Sequence, residues 1–366
     1  MRFKTSVIDF SEKLGLVQGI SERRATMPVL SHVLLTAKGN RVEISATDLE
    51  TTMITWSEAN IMREGSLAVP ARKLFEILKE LPEGEIELDE IGNNWVEIRS
   101  SSTVFKIAGL PGEDFPIIPE LTSDALFSVN AHALEEMISK TIFAVSPDEL
   151  RRNLAGIYFE QADKTVLRLV ATDGHRLSLV EKNIDGRVKF DKGFVVPKKG
   201  VAELRKILKL SENVNVGQKE NFFMAEGEDI VLIARLIDAE FPDYKQVTPE
   251  STKMSIVLGR NEFLSALKRV SILSSEKTRS VKFDIAGDGM TLVSVSPEVG
   301  EAREVIPVTH TGDPIELGFN ARYLMDVLEE VTEDKVQLGL IDELSPAVIK
   351  PDSDEIYLSV IMPMRV

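Results

Sequence analysis

This chain says nearly the same thing three times, and that repetition constrains its fold more than any other feature. Gly65 to Leu88 (GSLAVPARKLFEILKELPEGEIEL) returns as Gly193 to Val216 (GFVVPKKGVAELRKILKLSENVNV) and, more loosely, as Pro314 to Leu338 (PIELGFNARYLMDVLEEVTEDKVQL). Each copy reads as a strand, a turn at Pro70, Pro197 or Asn320, an amphipathic helix and a second strand. A second phrase keeps step, with Asp48 in VEISATDLE, Asp173 in LRLVATDGH and Ser296 in TLVSVSPE. Asp48 to Asp173 is 125 residues and Pro70 to Pro197 is 127, while Asp173 to Ser296 and Pro197 to Asn320 are both 123. A period that long is a whole domain, since solenoid repeats fall at roughly 20 to 50 residues. The 366 residues therefore divide into three tandem copies, expected at 1–120, 121–248 and 249–366.

Each copy opens with a strand and a helix. Phe10, Leu14 and Val17 share a helical face in the first, Leu134, Met137, Ile138 and Thr141 in the second, and Phe263, Ala266, Leu267 and Val270 in the third. Short β-branched strands follow, bounded by turn signals such as Lys38–Asn40, Glu226–Asp229 and Gly287–Gly289. Two helices and about eight strands per copy predict an α+β fold, with helices layered on antiparallel sheets. EDFPIIPEL, with Phe115 and Pro116, and AEFPDYKQV, with Phe241 and Pro242, read as the linkers.

Composition excludes several function classes. The 43% hydrophobic and 28% charged content is that of a globular protein, and no apolar run approaches the roughly 20 residues of a membrane span. MRFKTSVIDF lacks the features of a secretory signal, so the expectation is a cytoplasmic protein. With no cysteine there is no disulfide, thiolate metal site or cysteine nucleophile. The net charge of −16 argues against nucleic acid, yet DNA feels the distribution and not the sum. On the helix of the second copy Val201, Leu204, Ile207 and Leu208 fall on one side, and Lys198, Lys199, Arg205, Lys206 and Lys209 on the other. The equivalent helices carry Arg72 and Lys79 beside Glu76 and Glu80, and Arg322 against Asp326, Glu329 and Glu330. Any basic surface is thus weighted to the first two copies.

A hydrolytic site would rest on Asp173, His175 and Ser178. Asp48 has the same Ala-Thr-Asp context without a histidine, so a turn aspartate accepting backbone N–H bonds accounts for both. His32, His132 and His310 are scattered singly, and neither a phosphate-binding loop nor a metal-ligand spacing occurs. No catalytic residue, metal or cofactor is expected. Repetition itself favours a closed assembly, which pairs away exposed sheet edges.

Along its whole length the chain resembles the bacterial sliding clamps, the β subunits of DNA polymerase III. The phrases that carry the match are TMPVL (Thr26–Leu30), ATDLE (Ala46–Glu50), VPARK (Val69–Lys73), LPGEDFP, ATDGHRL (Ala171–Leu177), FPDYKQV, ILSSEK (Ile272–Lys277) and MPMRV (Met362–Val366). The resemblance implies a head-to-tail homodimeric ring that slides on double-stranded DNA without reading sequence. It also implies tethered partners: the polymerase III alpha subunit, the clamp loader delta subunit, and other polymerases and repair proteins carrying a clamp-binding peptide. Carried over by position, the peptide pocket takes in Leu154, Thr172, Gly174, His175, Arg176, Leu177, Pro242, Val247, Val360, Met362, Pro363, Met364 and Arg365. Methionine adapts to varied apolar ligands, which suits such a pocket. Gln246 stands where the family often has arginine, and Val366 where leucine is usual. The resemblance assigns phosphate contacts to Arg24, Arg72, Lys79, Arg152, Lys198 and Lys199, and the dimer interface to Phe105, Ile272 and Leu273, with Lys73 and Lys106 facing Glu298, Glu301 and Glu304. A scaffold that binds proteins without encircling DNA is the competing reading, and only topology separates the two.

Overall fold

A computed structural model describes residues 1–366 apart from 22–26, 120–122, 149, 250, 276–277, 354–355 and 366. Among the described residues there are six α-helices, two in each third: α1 (Val7–Val17), α2 (Ala71–Glu80), α3 (Ala131–Ile142), α4 (Lys198–Leu208), α5 (Arg260–Val270) and α6 (Ala321–Glu330). The helical faces expected from spacing are the buried ones, including Phe10, Leu14 and Val17 of α1 and Phe263, Ala266, Leu267 and Val270 of α5. The recurring turn starts the second helix of each copy. Asn320 caps α6, its Oδ1 accepting the Arg322 N–H at 3.0 Å, whereas Pro70 and Pro197 end a strand directly before α2 and α4. None of the helices among the described residues is long and apolar enough to cross a membrane.

The strands form four antiparallel sheets among the described residues. The chain separates into two compact units, residues 1–132 with 199–236, and residues 133–198 with 237–366. The first unit holds a five-stranded sheet with Thr103–Ala108 at one edge, and a nine-stranded sheet. That larger sheet is continuous across two copies, because Thr51–Glu58 pairs with Ile230–Arg235, Thr55 opposite Ile230. α1 packs on this unit's strands, where Phe10 meets Phe3 at 5.8 Å between ring centroids.

The second unit repeats the plan. Its nine-stranded sheet joins the second and third copies through Arg176–Asn183 and Tyr357–Ile361, with Val180 opposite Tyr357. Its four-stranded sheet ends at Gly300–Pro307. Phe263, Phe283 and Phe319 stack edge to face beneath α5, with centroids 6.2 and 5.2 Å apart.

The two linkers are anchored rather than free. Phe115 is buried against Val29 and Ala68, and Phe241 among Leu177, Leu179, Tyr244 and Val360.

Candidate functional site

The repeated Ala-Thr-Asp phrase folds as a side-chain-capped turn. Asp173 Oδ1 accepts the N–H groups of His175 (2.9 Å) and Arg176 (3.0 Å), and the Thr172 hydroxyl accepts that of Gly174 (3.1 Å). Asp48 Oδ1 does the same for Glu50 (3.0 Å) and Thr51 (2.6 Å). Residue 174 takes a φ of +88°, which glycine adopts without strain, whereas Leu49 reaches +74° in the first copy. The buried Ser178 hydroxyl donates to the Lys140 carbonyl at 2.5 Å and touches the Ser359 hydroxyl, while the His175 ring is exposed. These three residues therefore form no nucleophile and base. Among the described residues no group of three or more His, Asp or Glu side chains is arranged to hold a metal.

Both turns also engage the second helix of the next copy. Asp48 Oδ2 forms an ion pair with Lys199 of α4. Arg176 reaches Asp173 Oδ2 at 3.1 Å and Asp326 Oδ2 of α6 at 2.5 Å, bonds the Phe143 carbonyl, and lies 4.5 Å from the centroid of the Tyr323 ring. Arg176, expected as a pocket wall, thus spends its guanidinium on this joint. Arg151, which sequence reasoning passed over, donates to the Asp173 carbonyl at 3.1 Å and ties the turn that carries Leu154 to it.

Strand pairing brings together some of the other residues expected in the pocket. Leu177 sits opposite Val360, and both are buried with Phe241 and Tyr244. Met362 N–H donates to the His175 carbonyl (2.9 Å) and Met364 N–H to that of Gly318 (2.8 Å), so the Met-Pro-Met segment runs from one strand end to another. Pro242 and Val247 are exposed beside the buried Phe241 and Tyr244 rings, and Met362 is partly exposed. Leu177, Val360, Phe241 and Tyr244 thus share one buried apolar cluster, and Pro242 and Val247 are exposed in the segment that carries Phe241 and Tyr244. Leu154 is buried on its own turn and Arg365 is exposed, without a hydrogen bond to the rest of the set among the described residues. Gln246, at the arginine position, bonds Asp243 Oδ2 at 3.0 Å.

The basic residues are less uniform than the helical wheel suggests. Arg152 and Lys198 are exposed, but Lys199 holds Asp48 and Lys206 holds Glu203 at 2.6 Å. Arg72 pairs with Glu76 at 2.8 Å and Lys79 lies over the Phe75 ring. Arg24 and Val366 lie outside the described residues.

Of the interface set, Ile272 is 75% exposed, while Phe105 and Leu273 are half-buried. Lys73 holds Glu76 at 2.8 Å and Lys106 holds Glu97 at 3.1 Å. Arg269 bonds Glu304 and draws its carboxyl below the usual value. Glu298 and Glu301 are exposed. Val104, Val295, Val299 and Val305, which sequence reasoning omitted, are also exposed.

Family comparisons account for the chain end to end. Residues 1–119, 128–243 and 245–365 match the family models described as the N-terminal, central and C-terminal domains of the DNA polymerase III beta subunit. The beta sliding clamp of Vibrio cholerae is 35% identical over 369 residues, covering 100% of both chains. The crystal structure of the Caulobacter crescentus beta sliding clamp superposes with a TM-score of 0.95 at 34% identity, covering 100% of both chains. A Pseudomonas aeruginosa sliding clamp bound to griselimycin does so with a TM-score of 0.93 at 32% identity and the same coverage.

Proposed function

The chain belongs to the DNA polymerase III beta-subunit family, the beta sliding clamps, and we propose that two copies close head to tail into a ring that slides on duplex DNA. It is a non-catalytic accessory subunit, a processivity factor for the polymerase.

The observation that carries the ring is an arithmetic of strands. Two sheets of nine strands each span a joint between copies, and the other two sheets have five and four strands, which add to nine. Their edges, Thr103–Ala108 and Gly300–Pro307, are the counterparts of the strands that meet at the two internal joints. Exposed edges invite pairing, and a second protomer completes the third joint.

The register follows. From the first joint to the second, Thr55 becomes Val180 and Ile230 becomes Tyr357, steps of 125 and 127. Stepping Ile230 back by 127 gives Thr103. The third hairpin is one residue longer, since Val295 pairs with Glu301 where Thr172 pairs with Leu177, so Val180 steps forward by 124 to Glu304. Thr103 then faces Glu304, Phe105 faces Ala302 and Lys106 faces Glu301. Burial agrees: Phe105 and Ala302 are half-buried and would share the inner face, while Lys106 and Glu301 are exposed and would pair outside. The Arg269–Glu304 pair is partly solvent-exposed and can exchange at little cost, and Glu97 keeps Arg99 as a partner if Lys106 turns to Glu301.

The pocket around Leu177, Val360 and Met362 would take a short apolar peptide from the polymerase alpha subunit, the clamp loader delta subunit, and other polymerases and repair proteins. Arg152 and Lys198, which are exposed, would touch phosphates without reading bases, as sliding requires. Such a clamp works in the cytoplasm, where the chromosome lies.

Topology gives the test. A protein that merely neutralises 6 to 10 phosphates loses about 10³ to 10⁵ in affinity between 50 and 200 mM salt. The clamp loaded on nicked circular DNA should survive that change and leave once the circle is linearised with free ends. Equal retention on both forms would favour the scaffold reading instead.

A further inference from the structure

We propose that Tyr244 is a positioning residue for the peptide pocket, holding the Pro242–Val247 wall in place through its hydroxyl. This rests on the pocket reading above. Register sets three charges in one row across adjacent strands, Glu160 opposite Arg168 and Arg168 opposite Glu181. Arg168 bonds Glu181 through Nε (2.7 Å) and Nη2, and Glu160 Oε2 through Nη1 (2.8 Å). Two carboxylates flank one guanidinium, which leaves acceptor capacity on Glu160. The Tyr244 hydroxyl fills it: it donates to Glu160 Oε2 and accepts from Arg168 Nη1 at 2.7 Å. Burial and the Glu160 bond push the phenol above its ordinary pKa, so it remains a donor at neutral pH.

The same residue reaches the pocket. Its ring is packed with Leu177, Leu179, Val195 and Val360, and neighbouring Phe241 stacks on Tyr158 with centroids 4.7 Å apart and planes within 2°. Tyr244–Val247 is a single 3₁₀ turn, in which residues i and i+3 eclipse, so the turn couples the placement of Val247 to that of Tyr244. The Thr248 hydroxyl closes that turn on the Tyr244 carbonyl at 3.0 Å. Apolar packing fixes how deep the segment lies but is non-directional. The hydroxyl adds the direction. It is bonded to a row of three paired charges across adjacent strands and lies one helical turn from Val247.

Tyr244→Phe keeps the ring and removes only this bond. With the full-length protein and a synthetic C-terminal peptide of a bacterial replicative polymerase, the dissociation constant should rise about tenfold, the size of one charge-assisted hydrogen bond, mainly through faster release. Amide exchange should quicken within 241–248 out of proportion to any fall in the melting temperature, and the dimer should stay as it was. Val247→Ala tests the pocket separately: if it leaves peptide affinity unchanged, the pocket reading itself fails. If Val247→Ala weakens binding and Tyr244→Phe does not, the positioning role alone is overturned. In the double variant the losses should fall short of adding, because Tyr244 acts through Val247. Full additivity, or a loss matched by a global fall in stability without local exchange, would reduce Tyr244 to a core residue.

Discussion

Asp173 looks like half of a catalytic dyad in one dimension and is a turn residue in three. Its two oxygens accept from two backbone N–H groups and from Arg176. Asp173→Ala should therefore destabilise the protein by about 1–3 kcal/mol in denaturant unfolding, the cost of stranding those partners. His175→Ala should leave stability unchanged, because the ring is exposed, and weaken peptide binding less than about tenfold. A larger loss of binding would give the imidazole a more central place in the pocket than its exposure implies. The turn aspartate could be read from the sequence because Asp48 repeats it without a histidine. The role of Arg176 could not, since its partner Asp326 is 150 residues away and no local pattern links them.

At the scale of elements, helical periodicity named the buried faces but missed what α3 buries beside them. Lys140 is 1% exposed, bonded to Glu136 at 2.7 Å, with its ammonium 5.1 Å from the centroid of the Tyr357 ring. Burial alone would raise the Glu136 carboxyl, but bonds from Lys140 and Lys182 hold it below the usual value. The folded-state pKa is thus depressed. The stability it confers is present above the unfolded carboxylate range, about 4.3, and lost as pH falls through the folded value. Glu136→Gln should cost about 1–3 kcal/mol at neutral pH, tempered because Glu136 remains partly in solvent, and should flatten the acid limb of a stability–pH curve. An acid limb identical to the parent's would remove Glu136 from the account. The Met-Pro-Met segment makes a second test. Deleting 362–366 removes the bonds to His175 and Gly318 and one pocket wall, so peptide binding should vanish while sedimentation still reports a dimer. Undiminished peptide affinity in a folded dimer would take Met362, Pro363 and Met364 out of the pocket.

For the whole molecule, the register at the third joint sets which charges meet across it. Lys106→Glu or Glu301→Lys alone puts like charges opposite each other and should weaken dimerisation, whereas the double reversal should restore it. Failure of the pair to rescue would mean the strands meet in another register. Truncating Ile272 and Leu273 together to Ala should yield monomer at micromolar concentration, since central apolar truncations commonly cost about 1–4 kcal/mol each. An unchanged dimer would move the interface elsewhere.

The sequence by itself determined the number of copies, their order of elements and the faces the helices bury, because 3.6- and 2-residue periods and turn chemistry are local properties that a repeat states three times over. The family resemblance named Phe105, Ile272 and Leu273, but not the exposed Val104, Val295, Val299 and Val305. Tertiary structure alone decided which strands continue a sheet from one copy into the next and which are left as edges. It also decided which charges are consumed internally, as Arg176, Lys199 and Arg168 are. Those outcomes depend on register and on contacts between residues far apart in the chain. A one-residue difference, such as the longer hairpin at Val295–Glu301, shifts every partner beyond it.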